Sequence, residues 1–258
     1  MDTPSKPDAT QEETAAKVMA TKPTRRWRAW VFQVYVVTAA IGFAILFLVA
    51  GAFTYSPIDL SIARRVQTIN AAWFYDVMWV VSVVGYPPQV AVLTGAILVV
   101  LFVIGLRWEA VMAALAALGV SGAGALVKII VHRPRPSANL IHVAQQLDSY
   151  SFPSGHVLLY TAFLGFLLFL AYTLLKRSLG RTLILSILGG LVGLVGLSRI
   201  YLGDHWASDV LGAYLLGSLW LAVTIHLYRW GQPRYFVRQP LAPDKSKSPA
   251  TQSWTHKR

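Results

Sequence analysis

The chain has no cysteine among its 258 residues. Disulfide cross-links, thiolate catalysis and cysteine-ligated metal are therefore excluded. Charge is scarce too: Asp, Glu, Lys and Arg make up 13% of the residues, about half the share usual in soluble domains. Acid is scarcest, with 11 Asp and Glu against 23 Lys and Arg, a formal net charge of +12. What is plentiful is apolar: the hydrophobic fraction is 55% and the mean hydropathy is +0.53. Such a chain is neither an ordinary soluble globule nor disordered over most of its length. Its nine Trp and eleven Tyr are rings of the kind that gather at membrane interfaces. In a soluble protein the basic excess would suggest nucleic acid. Here the charges sit mainly at segment ends and in tails, where they orient membrane helices, so no nucleic-acid partner is expected.

Residues 1–28 are polar and mixed in charge and read as a disordered cytoplasmic tail. Residues 29–58 carry no charged side chain. Ala50-Gly51-Ala52 would suit signal cleavage, but a signal core is only about 7–15 residues, so a retained first span is expected. Segment 61–84 mixes Arg64 and Arg65 with Trp73, Phe74, Tyr75 and Trp79 and reads as interfacial or half-inserted, with an extra span as the alternative. Apolar runs at 87–106, 110–127, 157–175, 182–197 and 206–228 complete a set of six spans, and residues 229–258 read as a basic tail. No internal repeat is visible. The expected fold is all-α, an integral membrane bundle of six transmembrane helices forming one domain over 29–228. Seventeen of the 23 basic residues fall on the side of the two tails, which places both termini in the cytoplasm.

The informative polar residues fall on the opposite, outer side, at the extracytoplasmic helix ends: Lys128, Arg135, Ser154, His156, Ser198, Arg199, His205 and Asp209. Snorkelling explains a single Lys or Arg there, but it needs no His, Ser or Asp partners. His205 and Asp209 are four apart and would share a helix face. A carboxylate on one ring nitrogen leaves the other with an outward lone pair, nucleophilic or basic. The same pair also suits a chance contact or half a metal site. Lys128, Arg135 and Arg199 would crowd a metal cation and suit a tetrahedral oxyanion instead. Ser151-Phe152-Pro153-Ser154-Gly155-His156 precedes a span, and unpaired N–H groups at a helix start bind anions. There Ser154 offers a hydroxyl or a simple N-cap, and Gly155 permits close approach. His156 is available as a proton donor. His132 and His142 read as solvated loop residues, with substrate contact as the alternative, and Arg133 carries no assignment. Asp204 either competes for His205 or pairs with Arg199. Gly122, Gly124, Gly189, Gly190, Gly193 and Gly196 are expected to let helices pack closely.

Lys128-x6-Arg135-Pro136, Pro153-Ser154-Gly155-His156 and Ser198-Arg199-x5-His205-x3-Asp209 together resemble the three-part signature of the type-2 phosphatidic acid phosphatase superfamily. The resemblance covers about residues 29–228 and excludes the tails. It implies that His205 attacks phosphorus and forms a phosphohistidine, that Asp209 orients His205, and that His156 protonates the leaving group. It implies that Lys128, Arg135, Arg199, Ser154 and Gly155 bind the phosphate, with Pro136, Pro153 and Ser198 in support. Three cations and backbone amides neutralise the phosphoryl charge, so no metal or other cofactor is expected. The substrate class implied is a membrane lipid phosphate or diphosphate: undecaprenyl diphosphate, phosphatidic acid or phosphatidylglycerol phosphate. Relatives in the superfamily that hold vanadate as haloperoxidases are soluble, unlike this chain. A lipid phosphotransferase using the same phosphohistidine, and a non-catalytic lipid-phosphate binder or transporter, are the rival readings.

Overall fold

The computed structural model describes residues 9–235. Among them the chain forms eight helices: α1 Ala9–Ala52, α2 Pro57–Val66, α3 Ala72–Val83, α4 Gln89–Val103, α5 Arg107–Val131, α6 Gly155–Leu174, α7 Leu179–Tyr201 and α8 Ala207–Tyr235. Five contain stretches long and apolar enough to cross a membrane: Ala29–Ala52 of α1, then α5, α6, α7 and Ala207–Gly231 of α8. The run expected at 87–106 is shorter in the fold. Helix α4 has 15 residues, a rise of about 22 Å against a hydrocarbon core of about 30 Å. Segment 61–84 is divided between α2 and α3, joined by a turn at 67–71.

Helix α1 already starts at Ala9, so most of the stretch read as a disordered tail is helical. Its Ala, Glu and Lys residues are good helix formers, continuous with the apolar span. The last helix likewise reaches Tyr235. Residues 1–8 and 236–258, including most of the basic tail, lie outside the described residues.

Local chemistry sets the helix ends. Ser56 and Asp59 form a reciprocal capping box at the start of α2, with Pro57 in the first turn. Ser178 caps α7 by accepting the Arg181 N–H at 3.2 Å. α5 closes on His132, whose φ of 52° is left-handed. α7 closes before Gly203, φ 75°, where an added Cβ would stand 2.0 Å from the His142 carbonyl oxygen.

Helix α8 packs along α1 and α5, α4 packs on α5, α6 on α7, and α3 on α7. The core between α5, α6 and α8 is built from Val120, Val157, Leu158, Trp206, Val210 and Ala213. The glycine expectation holds at Gly124 and Gly196, where a Cβ would meet Leu158 at 2.5 Å and Tyr214 at 2.7 Å. Gly189 has only ordinary contact, and Gly122, Gly190 and Gly193 face open space, so those three do not serve packing. Because the long helices alternate in direction, the end of α5, the start of α6, the end of α7 and the start of α8 meet at one end of the bundle. All three sequence motifs lie there.

Candidate active site

His205 is buried in the Gly203–Trp206 turn, two residues before α8 begins. The expected i,i+4 pair does meet, but with His205 outside α8 rather than on a shared helix face. His205 Nδ1 stands 3.7 Å from Asp209 Oδ2, and Ser151 Oγ lies between them. That hydroxyl donates to Asp209 Oδ2 in a short hydrogen bond and is 3.4 Å from Nδ1. Asp209 Oδ2 also accepts the Trp206 N–H at 2.8 Å. On the other side of the ring, Arg135 Nη1 is 3.1 Å from His205 Nε2. A guanidinium only donates, so Nε2 is the lone-pair nitrogen and the ring proton sits on Nδ1. Burial, and then the Arg135, Lys128 and Arg199 charges, hold the His205 pKa well below the usual 6.5. The imidazole is thus neutral, and its Nε2 lone pair, which accepts from Arg135, faces a cationic region.

Arg135 is fixed by its other hydrogens. Nε donates to the Ser149 carbonyl at 2.8 Å, Nη2 to Ser149 Oγ at 2.8 Å and Nη1 to the Asp204 carbonyl at 2.7 Å. Lys128 Nζ donates to the Tyr150 carbonyl in a short hydrogen bond. The loop before Pro153 thereby ties both cations to the His205 turn.

Arg199 is fully buried. Its Nη2 lies 2.7 Å from Asp204 Oδ2, and Nη1 donates to Ser82 Oγ at 2.9 Å and Tyr86 Oη at 2.8 Å. Tyr86 donates in turn to Asp204 Oδ2 at 3.1 Å. Of the two sequence alternatives for Asp204, pairing with Arg199 is the one that forms. Burial pushes the Asp204 carboxyl up from its usual range, while Arg199, Tyr86 and Arg135 pull it back. Ser198 Oγ donates to the Met78 carbonyl at 2.6 Å and contacts Ser82 Oγ at 2.7 Å, which pins α7 to α3.

His156, on the first turn of α6, meets the Tyr86 ring edge-on at 4.8 Å. It packs so closely on Gly85 that a Cβ there would stand 2.2 Å from its Cδ2. Ser154 occupies the N-cap position but makes no side-chain cap bond, so the simple capping reading does not hold. Its backbone N–H donates to the Asp209 carbonyl at 3.3 Å. A Cβ on Gly155 would meet nothing within 4 Å, so the helix start is open to close approach. Pro136 and Pro153 are buried beneath these loops. His132 stacks edge-on against Tyr150 at 4.6 Å, and the His142 backbone is held by Gln67.

The contacts form a chain from one histidine to the other: His156 to Tyr86, Tyr86 to Arg199, Arg199 to Asp204, Asp204 to Arg135, Arg135 to His205. Around it, Ser154 Oγ, His156 Nε2, Arg199 Nε and Arg199 Nη2 are buried without a hydrogen-bond partner among the described residues. The Nη2 contact to Asp204 is an ion pair whose N–H directions are not aligned for a hydrogen bond. Each such orphan costs about 1–3 kcal/mol unless an acceptor meets it. The Ser154 hydroxyl and the Arg199 N–H groups are donors suited to a tetrahedral oxyanion, with His156 Nε2 and the unpartnered Asp204 Oδ1 beside them. No group of three or more His, Asp or Glu is placed to hold a metal among the described residues.

Sequence reasoning missed Tyr86 and Ser82, assigned Arg133 nothing, and gave Ser151 and Asp59 no role. Arg133 was signalled only by its place in Arg133-Pro134-Arg135-Pro136, and Asp59 by being an acid that ends a charge-free run. Nothing local marks Tyr86.

A family model described as the PAP2 superfamily matches residues 109–233, from α5 to α8. The chain is 30% identical over 170 residues to phosphatidylglycerophosphatase B of Bacillus subtilis, covering 62% of this chain and 78% of that protein. It is 36% identical over 103 residues to an undecaprenyl-diphosphatase of Sulfolobus acidocaldarius, covering 38% of this chain and 45%, less than half, of that relative. The fold matches the crystal structure of the transmembrane PAP2-type phosphatidylglycerolphosphate phosphatase of Bacillus subtilis with a TM-score of 0.61, over 77% of this chain and 98% of that one at 24% identity. It matches Aquifex aeolicus LpxE with a TM-score of 0.54, over 66% of this chain and 96% of that one at 20% identity. With the site-bearing helices inside the family match and a 30% identical relative covered over most of its length, the chain belongs to the PAP2 superfamily as a multi-pass membrane lipid phosphatase, a phosphomonoester hydrolase.

Proposed function

We propose that the protein removes phosphate from a lipid phosphate or prenyl diphosphate at the extracytoplasmic surface, through a phosphohistidine on His205. The observation that carries this reading is the set of buried, unpartnered polar atoms, donors on Ser154 and Arg199 with His156 Nε2, around the His205 Nε2 that Arg135 contacts.

Nε2 attacks phosphorus, and the bond to the leaving oxygen breaks as the P–N bond forms. His156 gives that oxygen a proton. Lys128, Arg135 and Arg199 balance the charge on the equatorial oxygens, helped by Ser154 Oγ and the Gly155 N–H, which lies in the helix's unpaired first turn. Asp209, through Ser151, stabilises the imidazolium at Nδ1. A water then attacks the phosphohistidine while His156 accepts its proton, and inorganic phosphate leaves. Pro136, Pro153 and Ser198 hold the loops and helices that carry these groups.

Both termini are cytoplasmic in this reading, and α3 with α4 forms the second of six crossings. Their rises of about 18 and 22 Å together exceed the core thickness, so the break at Gly85–Pro88 brings Tyr86 to the depth of Arg199. Exposed apolar side chains of α3 (Trp73, Val77, Val80) and α5 (Leu126, Ile129, Ile130) flank the site, where a lipid chain would lie in the bilayer. The relatives suggest phosphatidylglycerol phosphate and undecaprenyl diphosphate as the first substrates to try, with phosphatidic acid beside them.

The test is phosphate release from this panel in detergent, run beside His205→Asn. Release from at least one lipid, abolished in the variant while lipid binding persists, is the expected result. Turnover surviving in His205→Asn would remove the nucleophile from the reading.

A further inference from the structure

Arg133 lies between two of the cradle cations in sequence, yet it points to the far side of Asp209. Its Nη1 donates to Asp209 Oδ1 at 2.5 Å and to Ser208 Oγ at 2.7 Å. Nη2 donates to Asp59 Oδ2 at 2.9 Å, and Nε to the Thr54 carbonyl at 3.0 Å. Side-chain exposure is 0% for Arg133 and Asp209 and 3% for Asp59. Asp59 is itself immobilised. Its Oδ2 accepts from Ser56 N–H at 3.1 Å and Ser208 Oγ at 2.9 Å, and its Oδ1 from Ser208 N–H at 2.8 Å. One planar guanidinium thus joins α2, the α5–α6 loop and the first turn of α8.

Burying three charges is a poor way to gain stability, because their desolvation offsets most of their attraction. What the arrangement does supply is direction. Asp209 has two oxygens: Oδ1 is taken by Arg133, while Oδ2 faces Trp206 N–H, Ser151 and the Nδ1 edge of His205. A lysine, as a point charge on a flexible stem, cannot reproduce the four directed bonds.

We propose that Arg133, held by Asp59, is a positioning residue: it clamps Asp209 so that Oδ2 stays turned toward Ser151 and His205, which makes α2 part of the reaction apparatus. The proposal rests on His205 being the nucleophile. Its effect belongs to the step in which the imidazole gains positive charge, so it falls on kcat and spares the binding of ground-state phosphate.

The experiment compares full-length wild type, Arg133→Lys, Asp59→Asn, the double variant and His205→Asn in detergent. It measures kcat and KM for phosphate release from a short-chain lipid phosphate, thermal unfolding, and inhibition by inorganic phosphate and by orthovanadate. Arg133→Lys is expected to lower kcat per folded enzyme about 100-fold, with KM and phosphate inhibition within about twofold. Orthovanadate, which mimics the five-coordinate transition state, should weaken in step with kcat. Asp59→Asn, which keeps the Arg133 to Asp209 contact but loosens it, should cost about tenfold, and the double variant less than the product of the two. It carries the test if Arg133→Lys fails to fold. A lowered unfolding temperature with unchanged kcat per folded enzyme would reduce the triad to a structural brace and overturn the proposal. So would a loss confined to KM. Turnover in His205→Asn would instead overturn the nucleophile assignment, whatever the Arg133 variants do.

Discussion

Tyr86→Phe deletes one hydroxyl from the chain of contacts between His156 and His205 and leaves the aromatic ring in place. That hydroxyl accepts from Arg199 at 2.8 Å and donates to Asp204 at 3.1 Å. A hydrogen bond to a charged group contributes about 1.5–3 kcal/mol. Both partners keep other contacts: Arg199 Nη1 still reaches Ser82 Oγ at 2.9 Å, and the Arg199–Asp204 ion pair remains at 2.7 Å. The loss should therefore fall at the low end, about 1.5 kcal/mol, or about tenfold in kcat/KM. Tyr86→Ala also removes the ring beneath the Arg199 guanidinium, 4.9 Å from its centroid, and the edge contact to His156 at 4.8 Å. Those contribute about 1–2 kcal/mol more, for a total loss of about 70-fold to 400-fold. The assay is initial-rate phosphate release from lipid phosphate micelles, normalised to folded enzyme by thermal melt. The phenylalanine variant should lose mainly phosphate affinity, and the alanine variant should lose kcat as well, because it frees His156. If Tyr86→Phe stays within about twofold of wild type, and Tyr86→Ala is no worse, Tyr86 does not orient Arg199 and this account of the cradle fails.

Three further outcomes are expected. His205 must be neutral to attack, and its pKa is held well below 6.5, so the acid limb of kcat/KM lies below that of an ordinary histidine. Lys128→Gln removes one of the charges holding it there, so the limb should move to higher pH; a profile that stays put or moves down would contradict the assignment. Gly85→Ala forces a methyl into the 2.2 Å gap at His156 Cδ2. It should slow hydrolysis of alkyl phosphates far more than of p-nitrophenyl phosphate, whose leaving group needs no protonation; equal slowing would count against His156 as the acid. The absence of native cysteine makes a clean topology test available. Ala138→Cys should react with a membrane-impermeant maleimide from outside intact cells and Ser178→Cys should not, and the reverse pattern would invert the proposed orientation.

Legibility in the sequence followed the range of each signal. The long apolar helices, and the motif residues at their ends, are local patterns and sit where the spacing put them. The break between α3 and α4 was not legible: a run ending in Pro87-Pro88 reads the same whether the preceding helix lies on the membrane or leans into the site. His205 and Asp209 were correctly brought together but for an incomplete reason, since α8 begins only at Ala207 and Ser151 takes the intervening place. Tyr86, Ser82 and Asp59 act on partners 74 to 149 residues away, a distance over which no periodicity operates. Yet these are the residues that give the charges their direction. On the Nδ1 side of His205 stand Asp209 and, behind Arg133, Asp59, two carboxylates to one guanidinium. On the Nε2 side stand Lys128, Arg135 and Arg199, offset among the described residues by Asp204. The buried imidazole thus lies between a negative and a positive region in a weakly screened interior. That gradient favours the proton on Nδ1, leaves the lone pair on Nε2 and draws an anionic phosphorus centre toward it. A sequence count of charge shows how few such groups there are; only their pairing across the fold shows which way the field runs.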